Sequence, residues 1–244
     1  MTMNSKNDNS LIIGISQVGL SNRVVVPIKV DFSSNPHLIL VGNSGTGKTY
    51  LFTFLLGQIA QKFANLILAD FKGIDFVEFV GCSNYYIHNS VSEAVELVFD
   101  ELQSRMNNPK GKYKTLIFCV DEWSGYLSSL SSKKDVDKYK NYMASILMLG
   151  RGVGIFVIIA LQRADANYIV GRDNFSNAIG LGALSKESIK MIFPNEETDT
   201  IKPKTRGHGY LRTDGKPLTE IVVPRIRDID KTKSVIKKAL SQTK

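Results

Sequence analysis

The chain has 244 residues with a formal net charge of +8, long enough for one large domain that buries its own core without staples. Its two cysteines, Cys82 and Cys119, and three scattered histidines give no disulfide framework and no metal-ligand cluster, which fits a reducing cytoplasm. No apolar run approaches the roughly 18 residues of a membrane span, and the polar start MTMNSKNDNS lacks the core of a signal peptide.

Residues 1–10 read as a disordered start. LIIGISQVG and RVVVPIKVDF then read as two strands joined by a turn at Leu20–Asn22. Pro36 restarts the chain into a buried strand, LILV, which runs into a glycine-rich loop and a helix over about Gly47 to Phe63. NLILAD is a further buried strand, followed by the loop DFKGIDF. NYYIHN is a short strand, and Ser90 with Glu93 predicts a capping box for a helix over Val91–Met106. TLIFCVDE, Thr115 to Glu122, is a buried strand, and SGYLSSLSSKK reads as a flexible serine-rich stretch. A helix over about Asp135 to Leu149 leads to the strand GIFVIIALQ, which Gln162 ends. NAIGLG is one more strand, SKESIKMIF a serine-capped helix, and HGYLRTDGKPLTEIVVP a hairpin turning at Asp214–Gly215. The predicted organisation is a domain over residues 11–224 followed by a basic helix or tail over 225–244.

The loop after LILV carries the first chemistry. Gly42, Gly47, Lys48 and Thr49 fit G-x-x-x-x-G-K-[ST]. Glycines there let successive N–H groups curl around an anion, Lys48 adds a point charge for the β/γ-phosphates, and Thr49 offers a hydroxyl to Mg²⁺. The candidate nucleotide-binding residues are therefore Gly42, Asn43, Ser44, Gly45, Thr46, Gly47, Lys48, Thr49 and Tyr50, with ATP and Mg²⁺ as cofactors. A P-loop needs a second carboxylate on the metal side, and Asp121 supplies it at the carboxyl end of a buried strand. Glu122 follows, placed to polarise an attacking water. The adjacent glutamate argues for a RecA-like hydrolase of the additional-strand type: an α/β fold with a mostly parallel central sheet flanked by helices, and β-hairpins at both ends.

Charge is distributed unevenly. Residues 201–244 hold twelve Lys/Arg and four Asp/Glu, whereas the other 200 residues hold nineteen of each. The whole excess lies at the C-terminal end, a pattern that suits a polyanion partner such as nucleic acid or an acidic membrane surface.

PHLILVGNSGTGKT, LILADFKGIDF, FCVDE, GRGVGIFVIIALQRADAN and GHGYLRTDG, in that order, resemble the motor domain of the FtsK/SpoIIIE/HerA superfamily of ATP-driven DNA pumps. The resemblance covers about residues 11 to 225. Its most specific part is GR-x-x-GI with the following strand and QR, together with the late G-x-G hairpin. It implies a hexameric ring around DNA, Gln162 as a polar sensor of the γ-phosphate, and Arg151 as an arginine finger. Chromosome translocases of this kind usually carry membrane spans and a winged-helix domain. The chain has neither, so the expected setting is a mobile element (a plasmid, an integrative element or a phage), with a relaxase, membrane protein or capsid as recruiting partner. Two alternatives stay open: a viral genome-packaging ATPase, and a RecA-like ATPase that powers protein secretion or remodelling without DNA. Arg163 could contact a phosphate of nucleotide or DNA or sit on the surface. Lys72 and Asp75 could line a subunit interface or the pore, or belong to a solvated loop.

Overall fold

A computed structural model describes residues 10–63, 65–165 and 167–242. The start read as disordered lies outside these residues except for Ser10. Ten strands form one sheet: β1 (Ser10–Ser16), β2 (Pro27–Asp31), β3 (Leu38–Gly42), β4 (Asn65–Asp70), β5 (Tyr85–Ile87), β6 (Leu116–Asp121), β7 (Ile155–Leu161), β8 (Asn177–Leu181), β9 (His208–Thr213) and β10 (Thr219–Val222). Their spatial order is β2-β1-β10-β9-β8-β3-β7-β6-β4-β5. The half from β8 to β5 is parallel, and the half from β9 to β2 is joined antiparallel.

The parallel strands are apolar except at their ends, where Asn65, Asp70, Asp121 and Asn177 stand, because helices cover both faces. Seven helices are described: α1 (Gln17–Ser21), α2 (Lys48–Lys62), α3 (Val91–Asn107), α4 (Trp123–Ser129), α5 (Lys133–Leu149), α6 (Lys186–Ile192) and α7 (Ile229–Leu240). Alternate strand residues serve opposite layers. Ile39, Val41, Phe118, Val120, Val157 and Ile159 pack with α3, α4, α5 and α6. Leu38, Leu40, Ile117, Cys119, Ile158 and Ala160 pack with α2 and α7. Parallel register sets Asp70 of β4 beside Asp121 of β6, and Asp121 beside Ala160 of β7. The carboxyl ends of these strands therefore share one edge, where open α/β sheets hold ligands.

The structure corrects four local expectations. The first two strands do not meet at a simple turn: Ser16 caps α1, its hydroxyl accepting from the Gly19 N–H, and the pairing strand begins only at Pro27. Ser90 holds the N-cap position of α3, but its side chain makes no capping bond to the helix. It already has helical backbone angles, and its hydroxyl accepts from the Ile87 N–H and donates to the Ile87 carbonyl. Most of the serine-rich stretch is helical. Trp123, Tyr126 and Leu127 make a buried stripe at helical spacing, which overrides the weak propensity of the serines between them. Finally, α5 starts two residues early, at Lys133, because the Ser132 hydroxyl accepts from the Asp135 N–H.

The basic C-terminal segment is part of the packed fold. Ile236 and Leu240 of α7 are fully buried, each worth about 1.5–3 kcal/mol of burial. Helix α7 lies directly on α2: a Cβ at Gly57 would come within 2.6 Å of the Thr232 methyl. The Asn84 N–H donates to the Leu240 carbonyl and closes the far end of α7.

One buried titratable group opens β3. His37 is completely buried with φ of 61°, and the Val157 N–H donates to its Nδ1. Burial lowers its pKa to about 4, so the ring is neutral in the folded protein. An unfolded histidine titrates near 6.5, so between pH 6.5 and 4 the unfolded chain binds more protons and stability falls as pH falls. The expected contribution is a loss of about 3 kcal/mol across that window. Burial raises Asp121 in the opposite sense, so the term must be isolated by comparison. His37→Asn keeps a side chain that tolerates positive φ and does not titrate. Urea midpoints of the two proteins should converge as pH drops from 6.5 to 4. Parallel pH curves would show that His37 contributes nothing to the acid sensitivity.

Candidate active site

The loop Gly42–Gly47 leaves the carboxyl end of β3 and becomes α2. Gly45 and Gly47 have φ of 82° and 99°, angles that a side chain rarely adopts. Gly47 is the N-cap of α2 and supplies no side-chain cap, so the first N–H groups of the helix are left for a ligand. Beside them lies a cavity of about 450 Å³. Asn43, Ser44, Gly45, Gly47, Lys48, Thr49 and Tyr50 all line it. The other two predicted loop residues play supporting parts. Gly42 is buried at the end of β3, where a Cβ would sit 2.6 Å from the Thr46 hydroxyl. The Thr46 hydroxyl donates to the Asn43 carbonyl, and the Gly207 N–H donates to the Thr46 carbonyl, so the β9 hairpin braces the loop.

Lys48 ties the loop to the acidic strand. Its Nζ lies 3.0 Å from Asp121 Oδ1 and 2.8 Å from Glu122 Oε1, all three side chains being buried. Burial alone would lower the Lys48 pKa, but the two carboxylates outweigh it and hold the ammonium above its ordinary value. Burial pushes the Asp121 carboxyl up to about 6 against the pull of Lys48, with Glu122 and Asp70 adding like charge. The Lys48 ammonium at 3.0 Å favours the carboxylate form of Asp121. Glu122 itself has φ of 59°, and its N–H donates to the Ala160 carbonyl. The sharp turn ends β6 and starts α4, and the two adjacent acidic side chains meet the same Lys48 ammonium.

Gln162 follows the last residue of β7 and lines the same cavity. Arg151 does not. It is exposed on the 3-10 turn Gly150–Val153, at the opposite end of β7. Arg163 is exposed and lines a separate cleft with Arg172, Lys190, Asp165 and Glu187.

Several residues that the sequence left open or did not single out belong to this site. Lys72 Nζ is 3.3 Å from Glu122 Oε1, and the Thr49 hydroxyl donates to Asp75 Oδ2 at 3.2 Å. Both residues therefore line the cavity, Asp75 from an exposed position and Lys72 from a half-buried one. The available signal was their position directly after β4, a parallel strand that ends on the ligand edge. Arg206, Ile229 and Lys233 also line the cavity. The Ile226 N–H donates to the Tyr50 hydroxyl, which holds the start of α7 against the P-loop helix.

The residues fit a nucleoside triphosphate with Mg²⁺. A positive-φ glycine loop, uncapped helix N–H groups and a buried ammonium suit the phosphates, while Thr49 and Asp121 are the hard oxygen donors that would hold the ion. When bound, the ion neutralises charge on the β- and γ-oxygens. The chain's own contribution is then positional. Lys48 can exchange its carboxylate partners for phosphate oxygens, Glu122 can orient a water and take its proton, and Gln162 can donate to or accept from the terminal phosphate region.

No protein-family model matches the chain. It is 27% identical over 231 residues to the FtsK domain-containing protein YdcQ of Bacillus subtilis, covering 87% of this chain and 48% of that protein. It is 25% identical over 247 residues to the ESX secretion system protein EccC of Thermomonospora curvata, covering 81% of this chain and 18% of that protein. Among solved structures it is similar to the conjugation coupling protein TcpA of pCW3, in a monomer form with ATPγS. That likeness has a TM-score of 0.75 and 19% identity, covering 96% of this chain and 71% of that one. The chain thus spans about half of one curated relative and less than a fifth of the other. The likeness to TcpA establishes a P-loop ATPase fold with a RecA-like α/β sheet, as expected from the loop and the acidic strand. No helix among the described residues is long and apolar enough to cross a membrane.

Proposed function

We propose, from the premise that this chain is an FtsK/SpoIIIE-like P-loop ATPase, that it hydrolyses ATP to move DNA through a homo-oligomeric ring, in the cytoplasm and in the service of a mobile element. The observation that carries the hydrolytic part is one constellation. Lys48, Thr49 and Gln162 line a single cavity, and Asp121 and Glu122 are reached from it through Lys48. A coupled motor needs such a set, because both the γ-phosphate and the attacking water have to be sensed. The DNA part is supported by the FtsK-domain relative, the coupling-protein neighbour and the basic C-terminal region.

ATP turnover should rise on adding DNA, and comparing duplex, single-stranded and no DNA tests this directly. Turnover indifferent to all three would favour the second reading, an ATPase acting on a protein, which the similarity to EccC supports.

Where the basic charge acts can be tested separately. Lys237 and Lys238 are exposed on α7, away from the cavity lining. Removing all of α7 would strip the core of Ile236 and Leu240, so charge reversal is the cleaner experiment. Lys237→Glu with Lys238→Glu should weaken DNA binding. For every DNA phosphate that α7 no longer neutralises, the slope of log affinity against log salt should flatten by roughly 0.7–0.9. An unchanged slope would show that this face of α7 does not meet DNA.

A further inference from the structure

We infer that Lys72 is the positioning residue that orients the Glu122 carboxylate for water activation. The inference rests on the ATPase reading above and goes beyond it, because the sequence pattern assigns Lys72 no part in the chemistry.

The geometry is one-sided. Glu122 Oε1 carries both cationic contacts, Lys48 Nζ at 2.8 Å and Lys72 Nζ at 3.3 Å. Both lysines line the cavity, but only Lys48 stands in the phosphate-binding loop, at the first residue of α2. Once its ammonium turns to phosphate oxygens, Lys72 is the cation that keeps Oε1 fixed and presents the second oxygen to a water. A carboxylate that acts as base must hold its direction to within a fraction of an ångström, and a charge-assisted contact does this better than packing alone.

The backbone on both sides of Lys72 is anchored. The Phe71 N–H donates to the Asp121 carbonyl at 3.4 Å, and the His88 ring meets the Phe71 carbonyl at 3.0 Å. The Phe71 ring packs edge-on against Tyr126, one turn into the helix that Glu122 begins. There it leaves no slack at Gly125, where a Cβ would come within 3.2 Å of the ring. On the other side of Lys72, the Gly73 N–H donates to Asp70 Oδ1, and Asp70 is held in turn by the Tyr85 hydroxyl at 2.9 Å. Both neighbours of Lys72 are thus tied to the strand ends that carry Asp70 and Asp121. A lysine on a solvated loop has no need of such an anchorage. The same loop places Asp75 on the Thr49 hydroxyl, so one segment touches both the water-activating carboxylate and the metal-side threonine.

The test is steady-state ATP turnover of the full chain, with affinity for a fluorescent ATP analogue measured in parallel. Lys72→Met should lower kcat by about 10–100-fold and leave analogue affinity unchanged, and Lys72→Arg should recover most of the rate. In the Glu122→Gln background, Lys72→Met should add no further loss, since the two residues act as one unit. Analogue affinity also reports that each variant is folded. A drop in affinity with kcat intact would make Lys72 a phosphate contact and overturn the inference. Losses that multiply in the double variant would overturn it as well. Wild-type turnover matched by Lys72→Met would overturn it alone, whereas wild-type protein without turnover would overturn the ATPase reading along with it.

Discussion

Glu122→Gln is expected to cut ATP turnover by about 10²–10⁴-fold while nucleotide binding persists. The substitution keeps the shape of the side chain, so the αL turn at residue 122 and its N–H bond to Ala160 are undisturbed. What it removes is the ability to accept a proton. Asp121 remains as a carboxylate partner for Lys48, so the buried ammonium is not stranded. Lys48→Ala should behave differently: it deletes the charge that both carboxylates and the phosphates share, and should lose affinity as well as rate. Turnover and analogue titration on the two variants separate these roles. If Glu122→Gln turns over ATP at the wild-type rate, Glu122 is not the general base.

Much of this site is legible without coordinates because it is built from contiguous residues. Lys48 and Thr49 follow a glycine pattern whose backbone demands are local, and Asp121–Glu122 end an apolar run whose burial is forced by composition. Both features survive any error in strand order. What escapes the sequence depends on register and long-range packing. Lys72 and Asp75 read as two charges on a loop until β4 is known to pair with β6, with Asp70 level with Asp121. Tyr50 meets Ile226 across 176 residues, and nothing local signals that α7 leans on the P-loop helix. The serine-rich stretch misleads for the converse reason: its composition favours loop, while three buried side chains at helical spacing decide the outcome. Ser90 misleads because a capping pattern says nothing about the backbone angles that its residue will adopt.

The position of Arg151 yields the second large effect, and it tests whether the active unit is an assembly. Arg151 lies on the turn before β7, and Gln162 lies just beyond it. At about 3.3 Å per residue, the strand between them spans roughly 20 Å or more. Gln162 lines the cavity, so Arg151 is at the opposite edge of the sheet from it. Met148 and Leu149 beside it are exposed apolar residues at 63% and 39%. An arginine so placed can reach a neighbouring subunit's cavity, where a guanidinium on the transferring phosphoryl group is worth roughly 10³–10⁵ in rate. Arg151→Ala alone should therefore be nearly inactive, as should Lys48→Ala. Mixed, they should recover activity, because an intact Arg151 from one protein meets an intact phosphate loop from the other. The expected dependence on mixing ratio peaks near equal amounts. Co-assembly without recovered turnover would place Arg151 in its own subunit's structure, where a cation at the end of α5 complements the helix dipole and does nothing in trans.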